Sequence, residues 1–413
     1  MTASSLANRY PALASRDFRL LWIGQFISNV GSQMQLVALN WQVYVITHSA
    51  VALGIIGLAR VIPIIIFSLF GGIAADRFNR KIILTLTQTS LFILSILLTL
   101  LTITHQINSL SIYLITALAT IAMAFDTPSR QAFIPRLVKD EQLQNALTLN
   151  SIMYQVSTVI GPTIAGIFIG KLGLGYVYGF NALTFIAVLV ALFMIQTSGI
   201  VIGQKAAFSI YGIMEGINFI RSRTIIWSTM LLDFFSTFFS SATALLPIFA
   251  KDILKVGPEG LGLLYAAPAI GAVIAGVTLA HFQFLRKEGK VILASVGIYA
   301  IGTIIFGLSK SFTIALLGLL LVGLGDTIST IIRNTIRQLT TPDAIRGRMT
   351  SINMIFFAGG PQLGEFEAGL LAGAAGAPIS VIIGGAMTLL VVAVMGLKIP
   401  KLRNFDQRTE NPL

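Results

Sequence analysis

The stretch "GGIAADRFNRK", Gly71 to Lys81, places Asp76, Arg77, Arg80 and Lys81 in one knot straight after a run of small residues. Long, almost uncharged runs flank it on both sides. The whole chain shares that character: of 413 residues, 55% are hydrophobic and only 11% charged, against roughly 25% charged in soluble domains. One soluble core cannot hide so much apolar surface, so burial in lipid is the expected solution. With no cysteine, disulfides and thiolate metal sites are excluded. The three histidines, His48, His105 and His281, stand far apart at the ends of apolar runs. The first apolar run is too long for a signal-peptide h-region and has no small-residue cleavage site.

A bilayer core about 30 Å thick needs about 20 apolar residues per helix. Reading between charged or turn-rich breaks gives about twelve such runs. They centre near Ile27, Val61, Phe92, Leu118, Val159, Ala187, Phe238, Ile270, Tyr299, Leu321, Phe357 and Leu389. Breaks such as "THSA", "HQINSL", "LSKSF" and "GAPI" are so short that neighbouring helices must be antiparallel. Period-two alternation is absent, which argues against a barrel.

Lysine and arginine are enriched in cytoplasmic loops. With the N-terminus inside, the inner segments collect Arg9, Arg16, Arg19, the knot itself, Arg130, Arg136, Lys139, Lys205, Arg221 and Arg223. They also collect Arg286, Lys287, Lys290, Arg333, Arg337, Arg346, Arg348, Lys398, Lys401, Arg403 and Arg408. The outer loops keep Lys171, Lys251, Lys255 and Lys310, and Arg60 alone falls within a span. The net charge of +12 is therefore a topology signal with both termini cytoplasmic, and nucleic-acid binding is not expected.

One inner loop is longer than the others. In "AAFSIYGIMEGINFIRSR", Tyr211, Met214, Ile217 and Ile220 recur at helical spacing, as in a short helix lying in the interface among lipid headgroups. It separates an expected six-helix bundle over 1–198 from another over 224–413, with 199–223 as the linker. The halves echo one another: "LGIIGLARVI" from Leu53 with "LGLLYAAPAI" from Leu261, "RKIIL" from Arg80 with "GKVIL" from Gly289, "LVKDEQLQNALT" from Leu137 with "LTTPDAIRGRMT" from Leu339. Parallel repeats of this kind belong to carriers that bind substrate near the bilayer midplane.

The knot now falls between the second and third spans, where it resembles the loop motif of the major facilitator superfamily through Gly72, Asp76, Arg77, Arg80 and Lys81. Asn79 stands where that motif usually has glycine, a position Asn can fill because it tolerates left-handed backbone. The resemblance covers the chain and implies an all-α integral membrane protein, twelve helices in two six-helix bundles with pseudo-twofold symmetry. It also implies partners for the knot: the start of the eleventh helix, near Arg348 to Ser351, for Asp76, and Asp126 for Arg80, forming a cytoplasmic gate. Gly72 is expected to let another helix come close. "STVIGPTIAG" resembles the antiporter motif of the fifth span, with Gly161, Pro162 and Gly166 retained and Ser157 and Ala165 in place of glycines. "LLDFFSTFFSSATALLPIFAKDIL", "GLGLLYAAPAIGA", "IRGRMTSIN" and "PQLGEFEAG" resemble the enterobactin-exporter branch, which implies export of siderophores and other small organic compounds.

Charges within spans are costly, about 2.5–3.5 kcal/mol each on insertion scales, and face a cavity or a partner. Arg60 and Asp233 both fall about 15 Å deep at 1.5 Å per residue and are expected to pair; the pair is either the proton-coupling device or purely structural. Asp326, deep in the tenth span beside Thr327, Ser329 and Thr330, is the second proton candidate. Glu365 and Glu367 either admit protons or face water near the outside. Gln25, Asn29 and Gln33 form a polar stripe on the first span, continued by Gln35, Asn40 and Gln42, which lines a cavity or bonds neighbouring helices. Phe234, Phe235, Phe238 and Phe239 suit an apolar organic substrate or lipid equally.

These features point to a secondary transporter of a bacterial inner membrane that exports a siderophore-like or drug-like compound in exchange for protons. An importer or lipid flippase on the same fold is the alternative. A membrane enzyme would need a nucleophile, a metal set or a phosphate loop, and a sensor would need an output domain; none stands out. The expected partners are the small-molecule substrate, protons and lipid, with the chain a monomer and no cofactor or metal.

Overall fold

The computed structural model describes residues 10–200, 210–281 and 287–406, and among them there is no β-strand. Fourteen helices carry the description: α1 (Arg16–Thr47), α2 (Ala50–Arg77), α3 (Arg80–Ile103), α4 (Ser109–Phe133), α5 (Leu143–Lys171), α6 (Leu174–Met194), α7 (Ile210–Ser222), α8 (Thr224–Phe239), α9 (Gly257–His281), α10 (Glu288–Leu308), α11 (Phe312–Thr340), α12 (Asp343–Ala375), α13 (Ala377–Lys398) and the short α14 (Pro400–Arg403). Ten helical segments among the described residues are long and apolar enough to cross a bilayer. Two more, α1 with 32 residues and α12 with 33, have the length but fall short in hydropathy because polar groups interrupt them: Gln25, Asn29, Gln33, Gln35, Asn40 and Gln42 in α1, Glu365 and Glu367 in α12.

Helix ends follow local chemistry. Asn108 caps α4, its side chain accepting from the Ser111 amide at 2.8 Å, one of the four donors a helix start leaves free. The α5–α6 and α12–α13 turns pass through Gly173 at φ +100° and Gly376 at φ +90°, where a side chain would be strained. His48 and His105 also adopt positive φ at the ends of α1 and α3; they are turn residues.

The chain divides into two compact units, one of 1–46 and 62–207, the other of 47–61 and 208–413. Helix α2 thus contributes its first part to the second unit and its remainder to the first. In the first unit, α3 packs on α4 and α6. At one end of these helices Phe18, Leu84, Phe133, Leu149 and Leu192 form a core with Ile195. Polar side chains join α1 to its neighbours. Gln35 Oε1 accepts from Ser95 Oγ at 2.9 Å and Asn181 Nδ2 at 2.7 Å, and Gln42 Oε1 accepts from the Tyr178 hydroxyl at 2.7 Å. In an apolar surround each of these groups would be costly unpaired, so the network fixes helix rotation.

The second unit is joined mainly by small residues. Gly302 of α10 lies against Gly318 of α11, Gly323 of α11 against the Pro268 carbonyl of α9, and Gly384 of α13 against the Phe239 carbonyl of α8. The first part of α2 seats Gly54 on Gly369 and Gly57 on Gln362 of α12. Such close backbone approach supplies the van der Waals contact that holds helices together where lipid is as apolar as leucine. Large apolar side chains such as Ile65, Ile66 and Phe70 of α2 and Phe193 of α6 stay exposed on the protein, as the lipid-facing side of a membrane helix requires.

Candidate functional site

The knot that opened the sequence reading lies in the first unit where α2 passes into α3. Asn79 caps α3, its side-chain oxygen accepting from the Lys81 amide at 3.0 Å, in extended backbone with φ −63°. The expected left-handed turn is therefore corrected: Asn serves here as a helix cap. Arg80 does not meet Asp126. Its Nε donates to the Ala75 carbonyl at 3.0 Å and its Nη1 to the Ala132 carbonyl at 2.8 Å, capping the last turns of α2 and α4, whose carbonyls lack helical partners. Asp126, almost fully buried, pairs instead with Arg130 one turn along α4 at 2.7 Å and accepts from Thr87 at 2.9 Å and Gln88 at 2.7 Å. The i, i+4 spacing brings Arg130 to the acid without leaving its own helix.

Two further expectations for the knot change. Open space surrounds Gly72, whereas a Cβ on Gly71 would strike the Ala124 carbonyl; the close approach belongs to the glycine before. Asp76 and Arg77 are exposed, and of the expected Asp76 partners the side chains of Arg348, Thr350 and Ser351 lie outside the described residues, while Met349 is buried in a core of the second unit. The knot also grips the chain leaving α6: Lys81 Nζ donates to the Ile195 carbonyl at 2.6 Å and the Arg80 amide to the Gly199 carbonyl at 2.9 Å. Asp17, which no motif marked, accepts from the Gln196 amide at 3.1 Å, the Thr197 amide at 2.8 Å and the Thr197 hydroxyl at 2.6 Å. An acid in the first turn of a helix was the available signal.

The polar stripe of α1 divides. Gln35 and Gln42 bond α3 and α6, as described above, while Gln25 Nε2 reaches Asn29 Oδ1 of its own helix at 3.3 Å. Asn29 and Gln33 remain partly exposed, and Gln33 lies against Gly161 of α5. Ser157, Gly161, Pro162, Ala165 and Gly166 are all buried, and Ser157 Oγ returns to the Met153 carbonyl at 2.8 Å.

Arg60 and Asp233 do not pair. Arg60 meets Glu365 of α12 at 3.5 Å, both side chains about 15% exposed, brought there by the glycine seam between α2 and α12. Glu367 on the same turn is partly buried. Asp233, near the middle of α8, pairs with Arg333 at 2.7 Å, and both are nearly buried. Arg333 was expected in an inner loop; α11 continues as a helix to Thr340 and carries it inside. From the same guanidinium, Nη2 also donates to Thr330 Oγ1 at 2.9 Å. Asp326 stands one turn before Thr330 on the same helix. The order is Asp326, Thr330, Arg333, Asp233; the Tyr299 hydroxyl of α10 donates to the Ser240 carbonyl at 3.2 Å. Asp326 marks the midpoint of α11, and among the described residues no cation lies within ion-pair distance of it.

The phenylalanines of α8 take two directions. Phe234 stacks on Phe238 with centroids 6.0 Å apart and meets Phe356 of α12 edge-on at 5.9 Å. Phe235 and Phe239 line an apolar groove with Trp227, Leu390, Val394 and Ile399 between α8 and α13. Among the described residues no group of three metal-ligating side chains assembles.

The profile of the family described as "Transmembrane secretion effector" matches residues 7–413. Proteins described as "Enterobactin exporter EntS", from Shigella boydii and from Escherichia coli strain K12, are 27% identical over 407 residues, 98% of this chain and 95% of theirs. Among solved structures, a POT family transporter bound to a peptide conjugate superposes with a TM-score of 0.73 at 14% identity, over 94% of this chain and 96% of that one. The nucleoside transporter NupG gives 0.70 at 16% identity over 93% and 99%. At these identities the structures speak to the fold alone, and all of them share it with this chain. The helical units, the knot between the second and third spans and the family match over nearly the whole length converge: the chain belongs to the transmembrane secretion effectors of the major facilitator superfamily, multi-pass membrane transporters rather than enzymes.

Proposed function

We propose that the protein exports a small organic compound, siderophore-like or drug-like, across a bacterial inner membrane in exchange for protons, by alternating access. The observation that carries this reading is the line Asp326–Thr330–Arg333–Asp233, half-buried at Asp326 and Thr330 and nearly buried at Arg333 and Asp233. Asp233 is neutralised by Arg333 at 2.7 Å, while Asp326, at mid-helix, has no such partner among the described residues. An intramembrane acid of this kind marks a proton or ion path. The sequence expectation named Asp233 first and Asp326 second; the geometry favours the reverse order, with Asp233 and Arg333 as the fixed pair beside the titrating acid. Export is supported by the likeness to proteins named as enterobactin exporters. The glutamates and Arg60 of the α2–α12 seam are a second polar place toward the outside, and both termini are read as cytoplasmic from the distribution of lysine and arginine.

Everted membrane vesicles given an imposed pH gradient and a panel of siderophores, dyes and antibiotics test this. Accumulation that collapses with a protonophore is the expected result, and loss of it in the Asp326→Asn variant locates the coupling. Accumulation indifferent to the gradient would refute proton exchange.

A further inference from the structure

The groove between α8 and α13 has a shape and a charge pattern that play no part in the exporter reading. Along α8, Trp227, Leu231, Phe235 and Phe239 stand four residues apart and share the lining of a groove of about 340 Å³ with Leu390 and Val394 of α13 and with Ile399. Positions four apart lie on one side of a helix, and Phe235 stacks on Phe239 with centroids 6.2 Å apart, so the α8 wall is continuous. From Trp227 to Phe239 it runs about 18 Å at 1.5 Å per residue. Half of a hydrocarbon core about 30 Å thick is about 15 Å, so the groove is as long as one leaflet is deep. At its Phe239 end, Gly384 of α13 lies against the Phe239 carbonyl.

At the other end α8 begins, α13 stops and polar groups gather. Trp227 is partly exposed, and among the described residues its indole N–H has no hydrogen-bond partner. The indole of Trp22, by contrast, donates to the Leu149 carbonyl at 3.1 Å. A tryptophan with one apolar and one wet end suits the headgroup level of a bilayer. Arg221 lies in the last turn of α7, and Arg223 stands at the start of α8, one turn before Trp227. Lys398 ends α13, and Lys401 and Arg403 belong to α14, which packs on both α8 and α13. All of these cations are exposed, and none is in an ion pair among the described residues; Arg223 lies over the Phe219 ring at 6.0 Å. Of the described acids on the same elements, Asp233 is held by Arg333. That leaves Glu215 of α7 and, beyond α14, Asp406, which accepts from the Lys287 amide at 3.3 Å. Positive charge is in surplus at this end.

An apolar slot one leaflet deep with a basic rim matches a molecule that has a long acyl chain and a phosphate. Clustered basic residues at the ends of membrane helices attract anionic headgroups, and charge-assisted bonds to phosphate are the strong ones. A zwitterionic lipid would bring a cation of its own into the surplus. A second copy of this chain meeting the groove about a twofold axis would set the same cations against each other. We infer that the α8–α13 groove is a binding site for an anionic phospholipid, one acyl chain lying along the Phe235–Phe239 wall and the phosphate accepting from Trp227 Nε1, Lys398, Lys401 and Arg403. The bound lipid ties the end of α13 and the whole of α14 to the start of α8.

Quenching of tryptophan fluorescence by lipids brominated on their acyl chains tests this, with the purified full chain in phosphatidylcholine nanodiscs. The chain has three tryptophans, and the signal lost in Trp227→Phe isolates the one in the groove. Brominated phosphatidylglycerol should quench Trp227 at a mole fraction about fivefold lower than brominated phosphatidylcholine, the factor that one basic residue near an anionic headgroup supplies. The difference should shrink as salt rises. The triple variant Lys398→Gln, Lys401→Gln, Arg403→Gln should lose the preference, while brominated phosphatidylcholine quenches its Trp227 as in wild type and so shows that the groove is still formed. Equal quenching by the two lipids in the wild type would mean ordinary bilayer lipid and would overturn the inference, as would a preference that survives in the triple variant. Absence of quenching by either lipid would overturn it too, and a dimer in the same nanodiscs would then identify a second copy as the occupant. The quenching judges the groove; flux in everted vesicles judges the exporter.

Discussion

Arg333 holds Asp233 at 2.7 Å across two helices, and it does so from one turn beyond Thr330, which separates it from Asp326. A buried ion pair is weak evidence of stability as a pair, yet removing one partner strands a charge and costs about 3–5 kcal/mol.

Arg333→Ala should therefore lower the thermal stability of the purified protein markedly, by about 3 kcal/mol or more. The double variant Asp233→Asn with Arg333→Met should recover most of that loss. A single Arg333→Ala variant as stable as wild type would show that Asp233 is not held by this residue.

The knot offers a test of which acid and base belong together. In a double-mutant cycle, Arg130 and Asp126 should show a coupling of about 1.5–3 kcal/mol, as charged hydrogen bonds do. Arg80 and Asp126 should show about 0.5 kcal/mol or less, the residue expected of distant sites. Strong coupling of Arg80 to Asp126 would restore the pairing that the motif implies.

Adjacent glycines should behave differently. Gly71→Ala drives a methyl group into the Ala124 carbonyl and should cost about 1–3 kcal/mol by overpacking. Gly72→Ala enters open space and should cost about 0.5 kcal/mol or less. Thermal melts of the two variants check this, and equal melting temperatures would contradict the packing described.

Arg60 and Glu365 meet where the first part of α2 lies on α12. Because the contact is 3.5 Å and partly accessible, Arg60→Ala and Glu365→Ala should couple by only about 1 kcal/mol. Gly54→Leu, which forces apart the Gly54–Gly369 contact, should disturb the same seam more severely, and accessibility of an introduced cysteine at Glu365 would report it. No native thiol interferes.

Much of this architecture was readable because the controlling forces act locally. Length, hydropathy and the placing of lysine and arginine set the helices, and the knot marked the superfamily. The partnerships were less legible, for reasons visible in the residues. Arg80 and Asp126 carry opposite charges at a plausible distance in sequence, but carbonyls at helix ends satisfy a guanidinium as well as a carboxylate does, and residue counts do not distinguish them. Arg333 looked like a loop cation because α11 runs beyond its apolar centre. Arg60 and Asp233 matched in depth, yet depth says nothing of the side of a helix on which a group faces, and each found a nearer partner. Phe235 and Phe239 separate from Phe234 and Phe238 only once the neighbours of α8 are known.

The grip of Asp17 on Gln196 and Thr197 joins positions 180 apart in the chain. At a synthesis rate of about 5–20 residues per second, that gap corresponds to on the order of 10–40 s. Throughout that interval the acidic end of the first helix lacks the partners it holds in the finished fold. Maturation of the amino-terminal half is thus timed by translation, and a pause placed just before codon 196 would lengthen the period in which quality-control proteases find it unfinished.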